Sequence, residues 1–203
     1  MGLEDAIVSS LAEPALFEAV LEMVYAHTYR FCKNYLAACG DALDILYLAD
    51  DFAGQQDMLL SPELWRRYLK PRYAALFALG RKYGKKVWFH SCGNILRVLP
   101  DLIEIGVDVW ETVQLHTLPV TPQALKNEYG RDITFFGGLN TQKLPFMSAA
   151  DASDESLRVI EALGQGGGFI FGPDHHIKPD VSAENTITLF NTARNFRRAG
   201  YTL

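Results

Sequence analysis

Cysteine is scarce in this chain, with three among 203 residues. The number is odd and the spacing suggests no disulfide framework, so a stapled secreted scaffold is excluded. Also missing is any run of the roughly 20 apolar residues that a membrane-spanning helix needs. The opening MGLEDAIVSS has neither a basic n-region nor an uninterrupted apolar stretch, which argues against a secretory signal. These absences set the expectation of a cytoplasmic protein that uses no membrane. Basic residues are outnumbered, 19 Lys and Arg against 24 Asp and Glu, for a net charge of −5. Neutralising phosphates takes a basic surface, so general nucleic-acid binding is not expected. A glycine-rich phosphate loop is lacking too. LADDFAGQQD, after the first apolar strand, does not carry the dinucleotide fingerprint, and the later GQGGGF precedes a strand where a phosphate loop should open a helix.

What is present is an ordinary globular composition, 49% hydrophobic and 21% charged, with no low-complexity tract or internal repeat. Apolar spacing predicts a helix over 14–38 and a strand within 42–50. A helix follows from Ser61, its N-cap, and Pro62 to about Gly84, divided or kinked at Pro71. Strands are expected in KVWFHS, VDVWETV, DITFFGGL and GFIFGP. Helices are expected in ILRVLPDLIEIG, in TPQALKNEYG, from Ser148 with Asp151 as a capping box, and from Ser182 to about Arg198. Loops are short and polar, which suits a single domain over 1–203. Five strands alternating with helices indicate an α/β fold with parallel strands. Doubly wound sheets and (β/α)8 barrels both fit that alternation.

Each expected strand releases polar residues at its C-terminal end: Asp50 and Asp51, His90 and Cys92, Glu111 and Gln114, Asn140 and Gln142, then Asp174, His175 and His176. That edge is where parallel α/β folds build their sites. Plainer roles stand beside the functional ones. Asp50 or Asp51 can cap a helix, Glu111 can be a solvated or ion-paired carboxylate, and Asn94 can cap the next helix or touch a ligand. His116 reads as a loop residue, His27 as a surface or packing residue, and Trp65, Trp88 and Trp110 as core.

His90 and Cys92 differ from these. Residues i and i+2 of an extended strand point to one side, so imidazole and thiol can share a cavity. Both are zinc donors, but two ligands do not close a catalytic zinc site, which uses three protein donors. The double histidine in GPDHHI is the place to seek a third.

HSCGN, GGLNTQ and GPDHHIKPDVSAEN, in this order and spacing, resemble the uroporphyrinogen decarboxylase superfamily, within it the cobalamin (corrinoid)-dependent methyltransferase branch. The resemblance runs from the first helix through LADDFAGQQDMLLSPELWRRYLKP to the C-terminal helix. It implies a (β/α)8 TIM-barrel fold, here partial, with about five β/α units and without the N-terminal strands. It implies zinc held by His90, Cys92 and a later donor that falls on His175, where the thiol methyltransferases of the branch have cysteine. Asp50, Asp51, Glu111 and Gln142 are the implied catalytic residues, and Asn94, Asn140 and His176 the implied cofactor contacts. The implied activity moves a methyl group between a small methylated substrate or thiol and a corrinoid carrier on a partner protein. The alternatives are a decarboxylase-like lyase acting on a tetrapyrrole and a truncated, non-catalytic ligand-binding barrel. A five-strand barrel leaves an apolar parallel edge, so a homo-oligomer or a second, barrel-completing chain is expected.

Overall fold

In the computed structural model, residues 2–196 are described. The chain divides into two compact units, residues 1–109 and 110–203, taken here in turn. Eight α-helices and five strands alternate among the described residues, and the pattern is that of a partial (β/α)8 barrel with five β/α units.

The first unit opens with α1 (Leu3–Ala12), an element the sequence reading left unassigned, and the long α2 (Pro14–Cys39). Pro14 stands at the first turn of α2, where its missing N–H costs nothing. Cys32 and Leu36 of α2 are buried, but Leu16, Met23, Val24, Phe31 and Tyr35 are exposed. Helical spacing alone thus did not separate the covered face from the open one. No helix among the described residues is long and apolar enough to cross a membrane.

β1 (Ile45–Ala49) pairs in parallel with β2 (Lys86–His90), in the register Leu48 to Phe89 and Ala49 to His90. Between them α3 (Pro62–Tyr68) and α4 (Lys70–Lys82) replace the one long helix. Ser61 Oγ accepts from the Leu64 N–H, capping α3 as expected, and the break falls at Leu69, before Pro71. Helix α5 (Leu99–Ile105) begins four residues later than its apolar pattern, with Pro100 in its first turn, and ends on Gly106 in the left-handed conformation. Asp101 of α5 ties the helices together. It accepts from Arg66 of α3 at 2.8 Å and from Lys70 of α4 at 2.7 Å. Beneath them Trp65, Phe77, Val87, Phe89, Leu99 and Leu102 form the core.

β3 (Val109–Val113) starts at the boundary, and the second unit continues with α6 (Pro122–Tyr129), β4 (Thr134–Leu139), α7 (Ala149–Leu163), β5 (Phe169–Pro173) and α8 (Ala183–Asn195). β4 and β5 are parallel, with Phe135 opposite Phe169 and Leu139 opposite Pro173. The Ser148–Asp151 capping box forms as expected. Leu139, Leu144, Ala152 and Leu189 make a buried cluster that joins β4, α7 and α8. Ser182 caps α8, and the expected end near Arg198 lies outside the described residues. Trp65 and Trp110 are core, Trp88 is half-buried and His27 is exposed.

Candidate metal centre

The ends of β1 and β2 lie side by side, and the pleat decides which side chains meet. Ala49 is opposite His90, so residues 49, 51, 90 and 92 share one face while 48, 50 and 89 share the other. The contacts follow that parity. His90 Nε2 lies 3.5 Å from Cys92 Sγ and 3.7 Å from Asp51 Oδ1. One donor atom from each of Asp51, His90 and Cys92 lies within 4.8 Å of the other two. On a tetrahedral zinc with bonds of about 2.0–2.3 Å, neighbouring donors stand about 3.3–3.6 Å apart. The set of one nitrogen, one sulfur and one oxygen therefore suits zinc in its chemistry, and the two distances from His90 Nε2, 3.5 and 3.7 Å, stand close to that spacing.

The loops that carry the triad are fixed by backbone bonds. The Cys92 N–H donates to Asp51 Oδ1 at 2.8 Å, which holds the carboxylate against the strand end. After β1 the chain turns back on itself, with Leu59 N–H bonded to the Phe52 carbonyl and Gly54 N–H to the Asp57 carbonyl. Gly93 has φ +79°, and a Cβ there would overlap the Gly54 carbonyl and stand 2.8 Å from that of Ala53. Only glycine lets the two loops approach this closely. Asn94 completes the join: its N–H donates to the Gly54 carbonyl and its side-chain oxygen accepts from Leu96 N–H. Its observed role is that of a turn-forming residue.

Asp50 faces the helices instead. Its carboxylate accepts from the hydroxyl of Tyr73 on α4, and its N–H donates to the His90 carbonyl at 3.0 Å. Burial pushes the Asp50 carboxyl up, against the lowering effect of the Tyr73 bond, and the charge of Asp51 adds to the rise. Burial, then the charge of Asp50, likewise holds the Tyr73 hydroxyl well above its ordinary value. The sequence reading did not single out Tyr73. Its signal, one tyrosine on a helix already rich in apolar residues, is indistinguishable from core packing.

In the second unit the remaining expected residues have local settings. Glu111 is half-buried in β3, and the Gln114 carbonyl accepts from both Thr117 N–H and Thr117 Oγ1. Asn140 Oδ1 accepts from Gln142 N–H at 2.9 Å and Lys143 N–H at 3.3 Å, so it shapes the loop after β4. The Gln142 side chain is exposed. His175 is half-buried and stands edge-on to the exposed His176, ring centroids 4.9 Å apart. Asp174 of GPDHHI is fully buried. It accepts from Thr141 N–H and Oγ1 at 3.0 and 2.7 Å, and its other oxygen lies 3.3 Å from His116 Nδ1. His116 thus lies beside a carboxylate, in the short turn Leu115–Thr117 after β3.

The sequence profile of the uroporphyrinogen decarboxylase (URO-D) family matches residues 1–196, and the chain belongs to that family. Among solved structures it is similar to a methyltransferase from Methanosarcina mazei, with a TM-score of 0.74 at 18% identity. That likeness covers 96% of this chain and 53% of the other, so the chain spans about half the length of the methyltransferase. No curated protein matches it in sequence.

Proposed function

We propose that the chain is a zinc-dependent methyltransferase, moving a methyl group between a small methylated substrate or thiol and a corrinoid carried by a partner protein. The observation that carries the reading is the donor set of Asp51, His90 and Cys92, three atoms within 4.8 Å of one another. Family membership and the methyltransferase likeness support it. Three protein donors leave a fourth position for a substrate atom, which is the catalytic rather than the structural pattern of zinc. Zinc bound there supplies Lewis acidity, which makes a bound thiol easier to deprotonate or polarises the heteroatom of a methylated substrate.

The chain's own residues set the stage for that chemistry. His90 presents its Nε2, Cys92 its sulfur, and Asp51 a carboxylate steadied by the Cys92 N–H. The Asp51 side chain is 56% exposed against 16% for His90, so an incoming ligand meets the carboxylate first. His175 is retained in the proposal as the alternative to Asp51 for the third donor, on the strength of the resemblance, with Glu111 and Gln142 as substrate contacts and Asn140 and His176 as cofactor contacts. Cytoplasmic location and self-association, or completion by a second chain, belong to the same reading. The exposed apolar residues of α2 favour association.

Elemental analysis of protein purified without chelator is the test. About one zinc per chain is expected, with the content falling in H90A and C92A; a zinc-free wild-type chain refutes the proposal. The family's description names a decarboxylase, and the lyase reading expects indifference to Cys92→Ala. Tetrapyrrole turnover that survives Cys92→Ala would replace the methyltransferase reading with the lyase.

A further inference from the structure

Asp50 and Asp51 are consecutive, yet they are pinned on opposite faces of the strand end. Asp51 Oδ1 accepts from the Cys92 N–H on the metal-facing side. The Asp50 carboxylate accepts from the Tyr73 hydroxyl on the helix side, while its own N–H is tied to the His90 carbonyl. Tyr73 itself has little freedom. Its ring lies 5.2 Å from Phe89, 5.9 Å from Phe77, 6.0 Å from Trp65 and 6.2 Å from Phe52, centroid to centroid. A hydroxyl on so firmly packed a ring is a fixed point, and the peptide between Asp50 and Asp51 cannot turn without breaking one of the two carboxylate bonds.

We propose that Tyr73 is a positioning residue for the metal centre: through Asp50 it sets the orientation of the β1 end and so holds the Asp51 carboxylate at the donor distance from His90 and Cys92. The purpose rests on the zinc reading above, whereas the geometry does not. Removing the hydroxyl leaves a carboxyl turned into the helix layer without its donor. Relief comes from rotating the strand end towards solvent, and that rotation carries Asp51 away from Cys92. Hydrogen-bond partners behind a metal ligand typically contribute 10–100-fold in metal affinity, and this one acts through the backbone of the adjacent residue.

The experiment compares wild type, Y73F and D50N in two measurements. The first is hydrogen exchange at the Cys92 amide in chelator-treated protein, with the Leu102 amide as a reference for general loosening. Y73F is expected to speed exchange at Cys92 about tenfold or more over the Leu102 change, which is the scale of a lost hydrogen bond of about 1.4 kcal/mol. D50N, whose amide oxygen still accepts from Tyr73, is expected to stay near wild type. The second is Co(II) titration, in which Y73F should bind about tenfold more weakly with an altered thiolate-to-metal absorption. Equal exchange at Cys92 in Y73F and wild type overturns the inference, whether or not metal binds. Faster exchange at Cys92 in Y73F alongside a wild type that binds no metal upholds the positioning role and overturns the zinc proposal instead.

Discussion

Gly93 is the residue on which the two site loops meet. Its φ of +79° and the overlap a Cβ would make with Gly54 act together, so Gly93→Ala should lower stability by about 2 kcal/mol or more. Urea unfolding measures this, and the same variant should lose zinc because Asp51 and Cys92 sit on the loops it forces apart. Asp174 is the corresponding fixed point of the second unit. Replacing it with Ala strips Thr141 of two bonds and His116 of its carboxylate, and a loss of about 2–4 kcal/mol is expected in thermal or urea unfolding. The sequence made His90 and Cys92 legible as a pair because an i, i+2 spacing fixes a shared face whatever the strand pairs with. It could not choose between Asp50 and Asp51, since that depends on the register that puts Ala49 opposite His90. Asp174 could be placed at a strand end but not given its partner, and Tyr73 was hidden, for a related reason: their meaning lies in partners 33 and 23 residues away in the chain.

At the level of elements, the helices of the first unit are joined by charge as well as by packing. Asp101 is nearly buried; burial alone would raise its carboxyl, but Arg66 and Lys70 outweigh that and hold it below the ordinary value. A carboxyl lowered in the folded state contributes stability that is fully present above its unfolded pKa, and the contribution is lost as the pH falls through the lowered value. Asp101→Asn should therefore cost about 1–2 kcal/mol at pH 7, a figure kept small because Arg66 is half in solvent. The difference from wild type should shrink below about pH 4 in urea titrations run across the acid range. Ser148→Ala removes the cap of α7 and is expected to cost about 1 kcal/mol by the same measurement. The caps and prolines that bound α3, α7 and α8 could be read directly, because they act within a few residues. The late start of α5 could not: its apolar pattern begins at Ile95, but that residue is buried in a turn preceding the helix. α1 was missed because its residues are mostly exposed and give little periodic signal.

Over the whole molecule, the donor set has a property that follows from where its members sit in the chain. Asp51 precedes β2 by a loop and two helices, while His90 and Cys92 close it, so an ion shared among them links two points about 40 residues apart. Such an ion is a removable cross-link: it binds where folding has brought the donors together, and so favours the folded chain by mass action. With free zinc at 100 times its dissociation constant the gain is about 2.7 kcal/mol, or roughly 5–10 °C in Tm for a chain of this size. Thermal scans with and without EDTA should show that gap in wild type and none in H90A. A reagent that merely withdraws an ion would then loosen the α/β core itself, and the protein's resistance to heat or proteolysis would report how much metal its surroundings provide.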